Sequence, residues 1–441
     1  MVIPMKKILF ISLALVFTLS VNAQTVDGKP EVRTEILSKL SSQLETYAFL
    51  PGTDFKKWDE FLKVERTKID EAKNDDEFKT SVNNALHKFG FSHILLATPK
   101  DATVRATGQT TGIGVSSQPL PEGGRVILRV VEKSPASEAG LEPGDIMQEV
   151  DGKKVTETTV ISGVSGSKVK IKILKTNGKT FEYTIIRRPF STVRKDEFKM
   201  LNNATGLLKI NTFDNSYNAT LIDEYMHDAV KAKNLIVDLR FNGGGAVSNL
   251  LHFAGYFVDP QLKLGFMLDK GCLTHFKDKE RREPANLAEL TPFANAFMMT
   301  PVKASSRFNG NLIVLINNGT GSASEIFTAA MHDLYGKKTI DKDGTVVADT
   351  ASISCTVIGT KSAGAVLFSR YLPASNGFAL QIPVADYLTP TTSRLEGNPI
   401  VPDVSAEDPK ILLPTAPDKA IEAALAIAER IRLREARPIG K

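Results

Sequence analysis

The chain has 441 residues, too long for one ordinary domain, and its 42% hydrophobic and 24% charged residues are the balance of a globular protein, which disfavours disorder and a membrane bundle. A formal charge of +5 without a basic cluster argues against a nucleic-acid partner. Two cysteines, Cys272 and Cys355, make no disulfide scaffold, and neither has His or acidic neighbours at metal-ligand spacing, so no metal or other cofactor is expected; whether they pair is left open.

Residues 1–23 read as a secretory signal peptide: Lys6 and Lys7, an apolar run from Ile8 to about Leu19, and a small-residue ending at Val21-Asn22-Ala23. The run is too short to span a membrane. Cleavage near Ala23 would leave a soluble chain in the periplasm or outside the cell, and the loss of two lysines takes the charge from +5 to +3.

Residues 24–107 carry helical periodicity in VRTEILSKLSSQLETYAFL, FKKWDEFLKVERTKIDEA and DEFKTSVNNALHKFG, broken at Pro51-Gly52 and Asn74-Asp75-Asp76. The polar segment PKDATVRATGQTTG then leads into a strand-rich unit, 108–190, whose β-branched runs alternate with Gly, Pro and Asp turns. GIGV (112–115), SPASEAGLEPGDIMQEVDGKKV (134–155) and SGSKVKIKI (165–173) resemble a PDZ domain of the kind found inside bacterial proteases. That resemblance implies capture of a peptide carboxylate by the amides of Gly112, Ile113, Gly114 and Val115, with the peptide added as a strand. Between Val155 and Gly166 the chain leaves little room for the helix that walls such a groove.

Residues 191–441 alternate strand and helix: GLLKINTF, then LIDEYMHDAVKAK, then the apolar NLIVDLR, and after a polar excursion from CLTHFKDKERREP the apolar NLIVLINN. This order predicts a mixed α/β core with right-handed crossovers, closed by the amphipathic C-terminal run PDKAIEAALAIAERIRLREA. The segment 338–359, rich in Asp and Gly turn residues, reads as an inserted hairpin.

NLIVLINN runs into GTGSASE, which puts a serine at a helix N-terminus, where free amides and the helix dipole favour an alkoxide or oxyanion. A Ser or Thr there is also an ordinary helix cap. A second strand ends in VDLRFNGGG (237–245), glycines that let backbone amides approach a ligand. The pairing of VDLR-x-N-x-GG with a later x-S-A-S-E resembles the C-terminal processing (tail-specific) proteases and the tricorn core peptidases, across nearly the whole mature chain. The resemblance implies an α/β multidomain architecture: an N-terminal helical region, a PDZ-like domain, and a ClpP/crotonase-like core. It further implies a serine peptidase acting on protein or peptide substrates, with the option of acting near their C-termini. Ser322 matches the nucleophile, and the amides of Ala323 and of Gly243 or Gly244 match the oxyanion hole. Ser324 reads as a structural hydroxyl and Glu325 as a first-turn acid.

The general base departs from the Ser/Lys pattern. VIGTKSAGAV (357–366) matches the base-bearing segment, but Ala365 stands at the lysine position. Three options follow: an inactive binding protein on the same fold, Lys361 as substitute, or another base. KFGFSHILL resembles the tricorn core's Ser-His pair, implying His93 as base beside Ser92, and histidine titrates near neutrality. RLEGNPIVPDV (394–404) resembles the stretch carrying the acidic member, implying Glu396, with Pro402-Asp403 at the matching offset. The oligomeric state is left open by the sequence.

Overall fold

In a computed structural model, residues 26, 29–156, 161–295, 299–336, 338–340, 346–348, 353–407 and 417–435 are described. The predicted signal peptide lies outside them, as does part of the 338–359 segment.

Three N-terminal helices, Pro30–Tyr47, Trp58–Glu71 and Asp75–Leu86, form where apolar side chains recur at helical spacing. Ile36, Leu40 and Leu44 of the first are buried together with Trp58, Phe78 and Val82. The third starts where Asn74 Oδ1 accepts the amide of Glu77 at 2.9 Å, with Asp75, Asp76 and Glu77 at the positive end of the dipole. This layer is continuous with the core, because Phe378, Leu380 and Ile382 belong to the same cluster. The strand Leu95–Ala97 also pairs antiparallel with Ala379–Gln381.

The stretch that reads as merely polar contains the helix Pro99–Thr107. Its signal lies in its ends: Thr98 accepts from Asp101 N at 3.1 Å, Asp101 accepts from Thr98 N at 3.0 Å, and Gly108 stops it at φ 65°. None of its residues is buried, so no apolar stripe marks it. The polar excursion likewise contains a helix, Lys270–Glu280, which buries Cys272 and Phe276.

The strands Val115–Pro119, Arg125–Val130, Ile146–Val150, Lys168–Leu174 and Thr180–Ile186 form an antiparallel sheet in that order. Alternation in Lys168–Leu174 sends Val169, Ile171 and Ile173 into the PDZ core. The chain enters and leaves this unit through one antiparallel ribbon, Gln109–Gly112 against Arg188–Ser191.

The main sheet orders its strands Glu197–Met200, Thr205–Lys209, Asn234–Asp238, Asn311–Ile316, Ser354–Gly359 and Val404–Ser405, the first pair antiparallel and the rest parallel. The two central strands, Asn234–Asp238 and Asn311–Ile316, are covered on both faces and are apolar beyond their polar end residues. Leu235, Val237, Leu312, Val314 and Ile316 meet the helices Ala219–Ala229, Val247–Ala254 and Ala323–Tyr335. The alternate residues Ile236, Ile313 and Leu315 meet Ala420, Ala424 and Ala428 of the C-terminal helix Lys419–Glu435. Arg240 fastens that helix, reaching Asp238 Oδ2 at 2.9 Å and Asp418 Oδ2 at 2.7 Å. A second sheet joins Leu95–Ala97, Phe266–Asp269, Leu367–Ser375 and Phe378–Leu388.

Lys338–Ile340 pairs antiparallel with Val346–Ala348. Cys272 and Cys355 are free and buried, with both thiols pushed up first by burial. Among the described residues, no helix is long and apolar enough to cross a membrane.

Candidate active site

The parallel strands Asn234–Asp238 and Asn311–Ile316 end side by side, and the loops beyond their carboxyl ends build the site. Asn317 and Thr320 lock these loops together. Asn317 Oδ1 accepts from Phe241 N and Gly319 N, both at 3.0 Å, and the Thr320 hydroxyl donates to Leu239 O at 2.9 Å. Thr320 is therefore a turn clamp.

Ser322 sits at φ 52° and ψ −121°, a costly conformation for a residue with a Cβ. Its amide is tied down, donating to Ala365 O at 3.0 Å and to Glu325 Oε2 at 3.2 Å. Glu325 does more than complement a dipole. Fully buried, it also accepts from Ser362 Oγ at 2.5 Å, Gly364 N at 2.8 Å and Ala365 N at 3.0 Å, so it brackets the serine turn to the 362–365 segment. Burial raises its carboxyl above the ordinary value, against the pull of these donors. Ser324 is fully buried and its hydroxyl has no partner among the described residues.

His93 enters from the N-terminal layer, between Gly90 and the strand Leu95–Ala97, at φ 58°. Its Nε2 lies 3.2 Å from Ser322 Oγ across 229 residues of sequence. Its Nδ1 lies 2.6 Å from Ser92 Oγ, which donates to Glu396 Oε2 at 2.8 Å. Since Ser92 has one hydroxyl proton and gives it to the carboxylate, it accepts from Nδ1–H. That assigns the tautomer with a bare Nε2 facing Ser322. Glu396 also accepts from Ser92 N at 2.7 Å and Val366 N at 2.8 Å. Burial first, and Arg105 to a lesser extent, pull the imidazole below its ordinary pKa against the Glu396 charge, which favours the neutral ring.

The amides of Ala323 and Gly243 make no hydrogen bond among the described residues, whereas Gly244 N donates to Asn242 Oδ1 at 3.0 Å. Of the two glycine amides, that of Gly244 is therefore already engaged. Gly244 serves by close approach instead: at φ 94°, a Cβ on it would stand 2.7 Å from both Ser322 Cβ and Ala323 N. Lys361 is exposed and lines no part of the cavity of about 500 Å³ that holds Ser322, His93, Ser92 and Gly243. Asp403 holds the chain through Val357 N at 2.9 Å and His332 Nε2 at 3.2 Å, away from the cluster of Ser322, His93 and Ser92.

The glycine loop of the PDZ unit is not part of this cluster. Ile113, Gly114 and Val115 line a separate groove of about 300 Å³ with Gly112, Ile161 and Phe190. The described residues between Val155 and Gly166 are not helical. Sequence reasoning passed over the roles of Asn242 and the Glu325 bracket, and over Arg105 and Arg194, which line the cavity that holds Ser322 and His93. Only the Asn in VDLRFNGGG and the Glu in GSASE hinted at the first two.

An α/β core with a serine at a strained strand-to-helix turn, faced by an imidazole, has the architecture of a serine-type peptidase. The model of peptidase family S41 matches residues 204–352 and that of the PDZ domain residues 126–175. The "Probable CtpA-like serine protease" of Staphylococcus saprophyticus is 27% identical over 313 residues, 69% of this chain and 54% of that protein. Its namesake in Staphylococcus epidermidis is 27% identical over 311 residues, 69% of this chain and 55% of that protein. The chain thus spans about half the length of the curated relatives it matches. Among solved structures, mature CPAF shares the fold with a TM-score of 0.55 at 13% identity, over 92% of this chain and 99% of that one. Residues 204–352 thus resemble peptidase family S41, and residues 126–175 a PDZ domain. The S41 match takes in Gly243 and Ser322 but neither His93 nor Glu396, so it bears on the serine turn and not on the base.

Proposed function

We propose that the chain is an exported serine peptidase that hydrolyses protein or peptide substrates, with Ser322 as nucleophile and His93 as general base. The observation that carries this reading is the 3.2 Å approach of His93 Nε2 to Ser322 Oγ, with Nδ1 engaged by Ser92. His93 takes the Ser322 proton as Oγ attacks the peptide carbonyl, and the resulting oxyanion is received by the amides of Gly243 and Ala323. Glu396 stabilises the imidazolium through the Ser92 hydroxyl. His93 then protonates the leaving amine, and water attacks the acyl-enzyme by the same route. Action near C-termini is the family's expectation, and export rests on the leader sequence alone.

Two other readings remain in competition. A Ser-Lys enzyme would use Lys361, and a binding protein on the same fold would do no chemistry. The test is labelling of the full chain by a fluorophosphonate near neutral pH. The proposal expects covalent labelling of the wild type and none of Ser322→Ala; absence of Ser322-dependent labelling favours the binding protein.

A further inference from the structure

A chain of polar side chains outside the catalytic cavity has no part in the proposed reaction. Tyr217 precedes the helix Ala219–Ala229, His252 lies on the helix Val247–Ala254, and the Tyr217 hydroxyl is 2.7 Å from His252 Nδ1. His252 Nε2 lies 2.9 Å from Asp223 Oδ1, and the Tyr256 hydroxyl donates to the same oxygen at 2.5 Å. A carboxylate oxygen only accepts, so in the neutral ring Nε2 carries the proton and Nδ1 accepts from Tyr217. Burial, ahead of the neighbouring charges, raises the Tyr217 phenol above its ordinary value, so the hydroxyl keeps the proton it donates.

Asp223, His252 and Tyr256 line a cavity of about 320 Å³ that is separate from the catalytic one. Buried Tyr217 connects them to the segment from which Asn211, Thr212 and Asp214 face the catalytic cavity. That segment grips the glycine run. Phe213 N donates to Gly244 O at 2.9 Å and the Thr212 hydroxyl reaches the same oxygen at 3.3 Å. Phe213 O accepts from Ala246 N and from Asn249 Nδ2, both at 2.8 Å. Gly245, at φ 151°, has no room for a Cβ against the Phe213 backbone. The two segments are therefore bridged backbone to backbone, and a shift of one carries the other. The Gly243 amide follows from the same run, and Gly321 N holds the carbonyl of its peptide plane, Asn242 O, at 3.0 Å.

We infer that Tyr217 and His252 are positioning residues of the reaction: their hydrogen bond ties residues 212–218 to the helix Val247–Ala254 and so keeps the Gly243 amide aimed, with that of Ala323, at the oxyanion. The inference rests on the peptidase reading for the role of that amide, and deepens it by naming what holds the amide in place. A misplacement of about 1 Å at the reacting centre costs on the order of 100-fold in rate, so a bond remote from the chemistry is enough to matter.

The test compares Tyr217→Phe, His252→Gln and His252→Asn with wild type, each melted to show that it is folded. Tyr217→Phe removes the hydroxyl and keeps the ring, which lies 5.8 Å from both the Phe213 and the His252 rings. Asn sets its amide near Nδ1 and retains an acceptor for Tyr217, whereas Gln sets its amide near Nε2 and does not. The expected result is a kcat lower by about tenfold or more in Tyr217→Phe and His252→Gln, with KM within about twofold. The double variant falls no further, since both changes break one bond, and His252→Asn recovers to within about threefold of wild type. Inhibition by a peptide aldehyde, whose tetrahedral adduct on Ser322 Oγ uses the oxyanion site, weakens in step with kcat. Binding of the uncleaved peptide, read on a Ser322→Ala background, stays unchanged. Hydrogen exchange quickens over 243–249 in Tyr217→Phe. A folded Tyr217→Phe protein with kcat and aldehyde inhibition within twofold of wild type overturns the inference. So does a fall in kcat matched by an equal weakening of the uncleaved peptide, which is what general loosening of the fold would give. Absence of turnover by the wild type, with exchange over 243–249 still quickened by Tyr217→Phe, counts against the peptidase reading alone; without that quickening it overturns the inference as well.

Discussion

Replacing Ser92 by alanine removes one hydroxyl and interrupts the path from His93 to Glu396. Two hydrogen bonds disappear, the 2.6 Å contact at His93 Nδ1 and the 2.8 Å bond into Glu396 Oε2. The first is ordinary, worth about 0.5–1.5 kcal/mol, and the second ends on a carboxylate, worth about 1.5–3 kcal/mol. Glu396 keeps Ser92 N and Val366 N as donors, so the carboxylate stays in place and the fold is expected to survive. The loss therefore falls mostly on the imidazolium of the transition state, and roughly 2–4.5 kcal/mol lowers kcat by about 30-fold to 2000-fold, with KM changed little. Steady-state hydrolysis of a quenched fluorescent peptide, beside a thermal melt, measures both. A kcat within twofold of wild type, in a folded Ser92→Ala protein, would refute the relay.

Three further outcomes follow from the geometry. The acid limb of kcat/KM should titrate below the ordinary histidine value near 6.5, because burial favours neutral His93; the unfolded chain accepts that proton at higher pH than the folded one, so His93 costs stability as pH falls from about 6.5 toward its folded value. A pH profile with its limb above 6.5 contradicts this. Gly244→Ala should abolish most activity and cost about 1–3 kcal/mol in urea unfolding, since a Cβ at φ 94° meets Ser322 Cβ and Ala323 N at 2.7 Å; unchanged kcat and midpoint would count against the close approach. Arg240→Met leaves Asp238 buried without its cation and should lower stability by about 3–5 kcal/mol, loosening the C-terminal helix, as hydrogen exchange over 419–435 would report.

The parts of the site that were legible in the sequence are those confined to one short run. Ser322 and Ala323 sit on one strand-to-helix junction, and a buried strand followed by Gly-x-Gly-Ser before a helical run marks such a junction. The centre of the main sheet was readable because Asn234–Asp238 and Asn311–Ile316, covered on both faces, have apolar runs with no polar residue inside them. His93 and Glu396 carried no local signal. Each is one polar residue in an irregular link, and they were singled out through resemblance, while the 229-residue closure to Ser322 depends on the pairing of Leu95–Ala97 with Ala379–Gln381. The choice between Gly243 and Gly244 turned on the Asn242 side chain, whose direction no sequence pattern expresses. Glu325 read as a first-turn acid because its partners Ser362, Gly364 and Ala365 come from a later segment. The helix Pro99–Thr107 was missed for want of buried residues, although Thr98, Asp101 and Gly108 mark its ends.

The central claim is that His93, and no lysine, takes the Ser322 proton. Its most direct test is the second-order rate of fluorophosphonate inactivation at neutral pH for His93→Ala and Lys361→Ala beside wild type. The account predicts a fall of about 1000-fold or more for His93→Ala and a rate within twofold of wild type for Lys361→Ala. Loss of reactivity in Lys361→Ala with His93→Ala unaffected would contradict it.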